Sequence, residues 1–315
     1  MSKKIKHILI TCALAAVFAF SAAISACTIK TKHPRAAITI EFNDVTYKIE
    51  YTLYRNMYPQ TVQHFIELAD AGFYNNMIIH DYHTNGEWYT GAYSYEASDE
   101  HLAYSTAYAN NDMADYLNEY SKEQAYYDLF ESGALTPSVY KTDSFVGDNN
   151  TVKAEDALPT LIGEFSANDH NIKKGALTAD YGVLKMYYYD KGSANKQVTI
   201  KNSFDQILMH DYKYNAATSI FTIQTSQSGG NSANNYAIFA RLRNEKQIDK
   251  LDALTEAIAD YEESISSTNG SLFKSYNTQV DKLDSFAGDE GRNISRDFNL
   301  TSLPLIIRSV KITKY

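Results

Sequence analysis

Two rhythms of hydrophobic and polar positions divide this chain. Ala37 to Phe42 and Val45 to Leu53 alternate and are rich in β-branched and aromatic residues, and Asn43-Asp44 between them predicts a hairpin turn. The period then lengthens: Val62, Phe65, Ile66 and Ala69 recur at three- and four-residue intervals. Pro59 opens that run and Gly72 closes it, which predicts a short amphipathic helix. Met77 to Tyr82 and Trp88 to Tyr93 read as two strands beside it. Ala97 to Tyr120 and Ser121 to Gly133 carry Ala, Leu, Glu, Lys and Tyr at helical spacings, and Gly133, Pro137 and Gly147 break the pattern after them. Val183 to Tyr189 and Gln197 to Ile200 predict an added hairpin around Lys191-Gly192-Ser193, its Tyr187-Tyr188-Tyr189 run half in the core. Ser219 to Thr225 and Tyr236 to Leu242 read as strands joined by a glycine-rich loop. Ile248, Leu251, Leu254, Ile258 and Tyr261 predict a helix, 264–299 a polar helix-plus-loop extension, and Leu305 to Ile312 a closing strand. No internal repeat is evident.

The first residues have a different pattern. Lys3, Lys4 and Lys6 precede an apolar run from Ile8 to Ala23, and Ile24-Ser25-Ala26-Cys27 ends it. That tetrapeptide resembles a bacterial lipobox, in which the cysteine thiol takes a diacylglycerol whose buried chains hold the protein at a membrane. The expected organisation is a signal peptide over 1–26, a polar tether over 27–36 and one domain over 37–315. An uncleaved anchor, or a secretory signal with a chance cysteine, are the competing readings. Cys12 lies in the part to be removed, so no disulfide is expected within one mature chain.

Composition narrows the function. The chain has 315 residues and 44% hydrophobic content, ample for a packed core. Removing the three signal lysines moves the formal charge from -9 to -12. Such an acidic body is a poor nucleic-acid binder and is repelled by anionic membrane surfaces, so a lipid on Cys27 would be needed to keep it there. The 26 tyrosines suit stacking on peptide or sugar, and equally suit amphipathic strands.

Several blocks carry a family resemblance. The helix at Gln60 to Ala71, then Gly72-Phe73-Tyr74, a hydrophobic stretch ending in His80 and a second strand carrying Gly91 resemble the opening half of the cyclophilin-type peptidyl-prolyl isomerases. Gly163-Glu164-Phe165-Ser166 matches that family's Gly-Glu-Phe-Ser. Gly175-Ala176-Leu177-Thr178-Ala179 is similar to its Gly-(Val or Ala)-Leu-Ser-Met-Ala, with Thr for Ser and the Met missing. Ser219 to Thr225 takes the place of its Ser-Gln-Phe-Phe-Ile strand, and Tyr236 to Leu242 that of the next. The resemblance implies a mainly β fold: a closed antiparallel β-barrel capped by helices. Two large insertions interrupt it, a helical one at about 94–159 that either packs on one side of the barrel or caps the groove, and a hairpin at about 181–217. A helix/loop extension over 264–299 is added.

The implied activity is cis-trans isomerisation of X-Pro bonds, whose barrier of roughly 18–20 kcal/mol comes from amide resonance. That chemistry needs no cofactor, nucleophile or metal. It needs an apolar pocket for the proline ring and a preorganised cationic donor for the twisted amide. In the family the donor is an Arg after the His that ends the third strand. Here that His is His80 and the next residue is Asp81, which inverts the sign. The family's pocket Gln maps to Thr90, through an alignment that needs a one-residue insertion. The resemblance assigns the groove to Trp88, Tyr89, Ala179, Phe221, Thr222 and Tyr236, with Phe221 doubling as a barrel residue. Arg55, Arg241 and Arg243 are the nearest substitute cations. His80, Asp81 and His83 do not make a metal site, since alternation puts the two histidines on opposite faces of a strand. No nucleophile elbow is present, and Ser228-Gly229-Gly230 lacks the Lys-Ser/Thr of a phosphate loop. The expected function is therefore an isomerase or folding factor whose partners are proline-containing exported polypeptides or an envelope protein. The alternative is a non-catalytic peptide-, glycan- or protein-binding lipoprotein on the same scaffold.

Overall fold

The computed structural model describes residues 32–95, 103–135, 145–147, 150–152, 161–164, 177–187, 196–201, 207–212, 216–226, 237–268, 270–279 and 295–315. Cys27, Tyr236 and residues 165–176 lie outside the described residues. In chain order the elements are β1 (Arg35–Phe42), β2 (Val45–Leu53), α1 (Pro59–Asp70), β3 (Met77–Tyr82), β4 (Glu87–Ser94), α2 (Tyr104–Asn110), α3 (Met113–Glu119), α4 (Glu123–Glu131), β5 (Phe145–Gly147), β6 (Asn150–Val152), β7 (Leu161–Ile162), β8 (Leu184–Met186), β9 (Lys196–Lys201), β10 (Ile207–Tyr212), β11 (Ala216–Ala217), β12 (Phe221–Gln224), β13 (Ala237–Leu242), α5 (Glu245–Ser266), β14 (Phe273–Gln279), β15 (Ser295–Thr301) and β16 (Ile306–Lys314).

Eight of the strands form a closed barrel in the order β1-β16-β3-β4-β12-β8-β13-β2. Every pairing in it is antiparallel. The β1–β2 turn works because Asn43 and Asp44 both take positive φ, 48° and 61°, the geometry whose twist matches a two-residue hairpin. The last strand closes the ring, β16 pairing with β1 on one edge and with Ile78 and Met77 of β3 on the other. α1 buries Val62, Phe65, Ile66, Leu68 and Ala69, and Phe65 meets Phe221 and Phe239 at ring separations of 5.4 and 5.0 Å. α5 lays Leu251, Leu254 and Ile258 against the barrel.

Tyr58 holds the N-cap position of α1 and makes no side-chain cap hydrogen bond, and Pro59 follows it. Glu164 supplies the missing acceptor from a distant segment: its carboxylate takes the Gln60 and Thr61 N–H groups at 3.2 and 2.8 Å. A carboxylate at a helix N-terminus satisfies orphan donors and complements the macrodipole. This is the physical content of the Gly-Glu-Phe-Ser match.

Three expectations change. Val183 to Tyr189 does not pair with Gln197 to Ile200; β8 is a barrel strand between β12 and β13. β9 pairs instead with β10 and β5 in a separate four-stranded sheet, so that insertion begins after Tyr187. The segment Ala97 to Tyr120 holds no single helix, because Asn111 at φ 65° ends α2 and α3 restarts at Met113. The described residues of the 264–299 extension form a two-stranded ribbon, β14–β15, after α5 ends at Ser266. Its apolar side alternates: Phe298 and Leu300 are buried while Asp297 faces water. A period of two diluted by Arg, Asp and Asn reads as polar loop in a hydropathy average.

Candidate functional site

The registers of β4, β12 and β8 sort the side chains by face. Thr90, Phe221 and Met186 stand opposite one another, as do Trp88, Ile223 and Leu184; between these rows lie Tyr89, Thr222 and Lys185. Directly opposed residues share a face, so the Phe221 and Trp88 rows look inward and the Tyr89 row looks outward. Phe221 packs on Phe65 and Tyr74, and Trp88 stacks on Tyr82 with centroids 5.6 Å apart. Thr90 donates its hydroxyl to the Ile78 carbonyl at 2.9 Å. Trp88, Thr90 and Phe221 therefore belong to the barrel interior, not to an outer groove. The outward position belongs to Tyr89, one residue before Thr90, and a shift of one exchanges the two faces. Gly91 itself is held at φ 104° with a would-be Cβ 2.4 Å from the Ser219 carbonyl oxygen, a place only glycine fits.

On the outer face β3 carries an extra residue. Ile79 pairs with Thr90 and Asp81 with Tyr89, so His80 is bulged out of register. The bulge turns both His80 and Asp81 toward β15. The His80 ring meets Tyr93 and Phe298 edge-on at 5.0 and 5.5 Å. The Asp81 side chain accepts the Asn299 backbone N–H at 3.0 Å and lies 3.2 Å from Nε2 of His83. Asp81 is only 2% exposed. The β14–β15 ribbon thus lies across this end of the face, and behind it Tyr276 donates its hydroxyl to the Tyr108 carbonyl of α2 at 3.2 Å. Beyond the ribbon the face stays partly open around Tyr89, whose ring has His83 on one side and Tyr187 on the other, at 6.0 and 5.4 Å. Lys185, 1% exposed, is engaged by the Glu87 carboxylate. The structure thus brings His80, Asp81, Tyr89 and Thr222 to one face.

Two of the three substitute cations are engaged by acidic partners of their own. Arg241 binds Asp180 and Thr178, both at 3.0 Å, and Arg243 binds Glu50. Among the described residues no group of three or more His, Cys, Asp or Glu could hold a metal ion.

A model of the family described as cyclophilin type peptidyl-prolyl cis-trans isomerase/CLD matches residues 37–269. The chain belongs to this cyclophilin-type family. No curated protein matches it. Among solved structures, a Cryptosporidium parvum cyclophilin type peptidyl-prolyl cis-trans isomerase is 13% identical, covering 90% of this chain and 99% of that one, with a TM-score of 0.36. The Mimivirus cyclophilin is 15% identical over 72% of this chain and 80% of that one, with a TM-score of 0.35.

With the barrel in view, the cyclophilin motif read at Gly175 to Ala179 moves. The strand between β12 and β13 is β8, and the sequence leading through it is Gly182-Val183-Leu184-Lys185-Met186, with the Met present. Lys185 stands at the family's Ser, and Tyr187 at the Ala assigned to Ala179. Ala179 is buried before the strand begins. Lys185 and Tyr187 are the outer-face residues that sequence reasoning missed, and Gly182-Val183-Leu184 was the signal for them. Among the described residues, the charge on this cyclophilin face is thus the Asp81 carboxylate beside His83 and a neutralised Glu87–Lys185 pair. That set can hold polypeptide by aromatic and hydrogen-bonding contacts, and it directs no guanidinium at a prolyl nitrogen.

Proposed function

We propose that this cyclophilin-fold protein is a lipid-anchored, extracytoplasmic binding module that does not isomerise prolyl bonds by the family's arginine chemistry. One observation carries the reading: the donor position holds a carboxylate, and that carboxylate is buried under the chain's own ribbon by the Asn299 N–H at 3.0 Å. Loss of one preorganised donor costs about 10²–10³ in rate, and an anion in its place works against the carbonyl as well. The half-buried aromatic edge around Tyr89 and Tyr187 supports contact with exported polypeptide or an envelope protein, and the acidic body supports no role with nucleic acid. The anchor is Cys27, eight residues before β1, a reach of at most about 28 Å at 3.5 Å per residue, which would keep the barrel beside the membrane.

Isomerisation of an X-Pro test peptide by the purified chain, wild type and Asp81→Arg, tests the first claim. Neither is expected to exceed the uncatalysed rate, and wild-type turnover above it overturns the reading. Mass spectrometry of the N-terminus is expected to find diacylglyceryl on Cys27; an unmodified thiol or cleavage elsewhere removes the anchor. The second reading, an isomerase acting on exported proteins, is favoured by the family match and requires the ribbon to leave Asp81.

A further inference from the structure

A cavity of about 150 Å³ lies between the β3–β4 turn and α5, on the far side of Trp88 from the outer face. Trp88 and Thr225 form its buried base, Tyr82 one wall, and Asn85, Thr255 and Glu262 part of its rim. Most of its polar groups are already spent. Thr225 donates to the Gly86 carbonyl at 3.1 Å, Thr255 to the Asp252 carbonyl at 2.9 Å, and the Tyr82 hydroxyl is bonded to Thr84 within the field of Glu262. The side chains of Asn85 and Glu262 make no hydrogen bond among the described residues. The groups without a hydrogen-bond partner among the described residues are thus the Glu262 carboxylate, the Asn85 amide and the buried Nε1–H of Trp88, set against two stacked aromatic rings, and the lining holds no cation.

We propose that this cavity binds a primary alkylammonium group, paired with Glu262 and resting against Tyr82 and Trp88. An ammonium beside an aromatic pair gains cation–π attraction that increases as water is excluded, and a carboxylate at the rim neutralises it. Size decides between this and a sugar. A cavity near 150 Å³ takes a benzene-sized group of about six heavy atoms, half the number in a hexose. An anion would meet Glu262 with no compensating charge.

The same chemistry reaches the site from a free amine or from a lysine side chain of a bound polypeptide. Trp88 is the single tryptophan of the chain, so its fluorescence reports the site directly. The intact protein in detergent is titrated at constant ionic strength with n-butylammonium, with uncharged 1-butanol and with a lysine-bearing tripeptide. A saturable change with butylammonium, none with butanol, and at least tenfold weaker binding to Glu262→Gln are expected. A response to the tripeptide as well assigns the site to polypeptide lysine, and its absence to free amine. Glu262 is partly exposed on α5, and unchanged circular dichroism and apo emission of the variant establish its fold. No saturable response, an equal response to butanol, or unaltered affinity in Glu262→Gln overturns the proposal.

Discussion

Asp81→Ala is the sharpest test of the ribbon's attachment. The substitution deletes the acceptor of the Asn299 N–H while leaving that amide of the ribbon facing the barrel. An orphaned buried donor costs about 1–3 kcal/mol. The lost pairing with His83 adds little, since that side chain is 45% exposed and exposed pairs contribute at most about 1 kcal/mol. The total is about 1–4 kcal/mol, unless the ribbon lifts and lets water reach the amide. Two measurements separate those outcomes. Urea unfolding reads the global loss, and amide hydrogen exchange at Asn299 reads local opening, expected to accelerate about 30-fold or more for 2 kcal/mol of local loss. Asp81→Asn, which keeps an acceptor oxygen, is expected to recover most of both. A change under about 0.5 kcal/mol together with unaltered Asn299 exchange in Asp81→Ala would refute the claim that this carboxylate pins the ribbon.

His64 gives a pH dependence. It is fully buried, with its Nε2–H directed at the Thr218 carbonyl at 2.7 Å, and burial lowers its pKa from 6.5 to about 4. A base with a depressed folded pKa contributes stability that is complete above about pH 6.5 and lost as pH falls toward 4. That amounts to about 3 kcal/mol, and denaturant midpoints of His64→Gln should lack this component of the acid loss. Glu164→Gln should cost about 1–2 kcal/mol in thermal or urea unfolding by weakening the two N–H bonds and the charge at the start of α1. Gly91→Ala should cost about 3 kcal/mol or more, seen as a lower Tm or loss of soluble protein, because the backbone at φ 104° and the Ser219 carbonyl both exclude a Cβ.

The barrel was legible in residue order alone wherever burial imposes one period. The β1–β2 hairpin, α1, β3 and α5 are set by alternation, by three-and-four spacing, and by Asn43-Asp44, Pro59 and Gly72, because those constraints act between neighbours in the chain. The face a side chain occupies is another matter. Whether Thr90 or Tyr89 points outward depends on the His80 bulge in the β3–β4 pairing and on which β12 residue stands opposite, and β12 lies more than a hundred residues along the chain from β4. The same holds for β8: Gly175 to Ala179 and Gly182 to Met186 match the family pattern about equally well as strings, and only the pairing with β12 and β13 selects the second. The inversion of charge at Asp81 was written in the sequence. Its burial beneath β15 was decided by tertiary structure, because a two-stranded ribbon with one apolar side has no stable place in water and takes the nearest surface that can cover it.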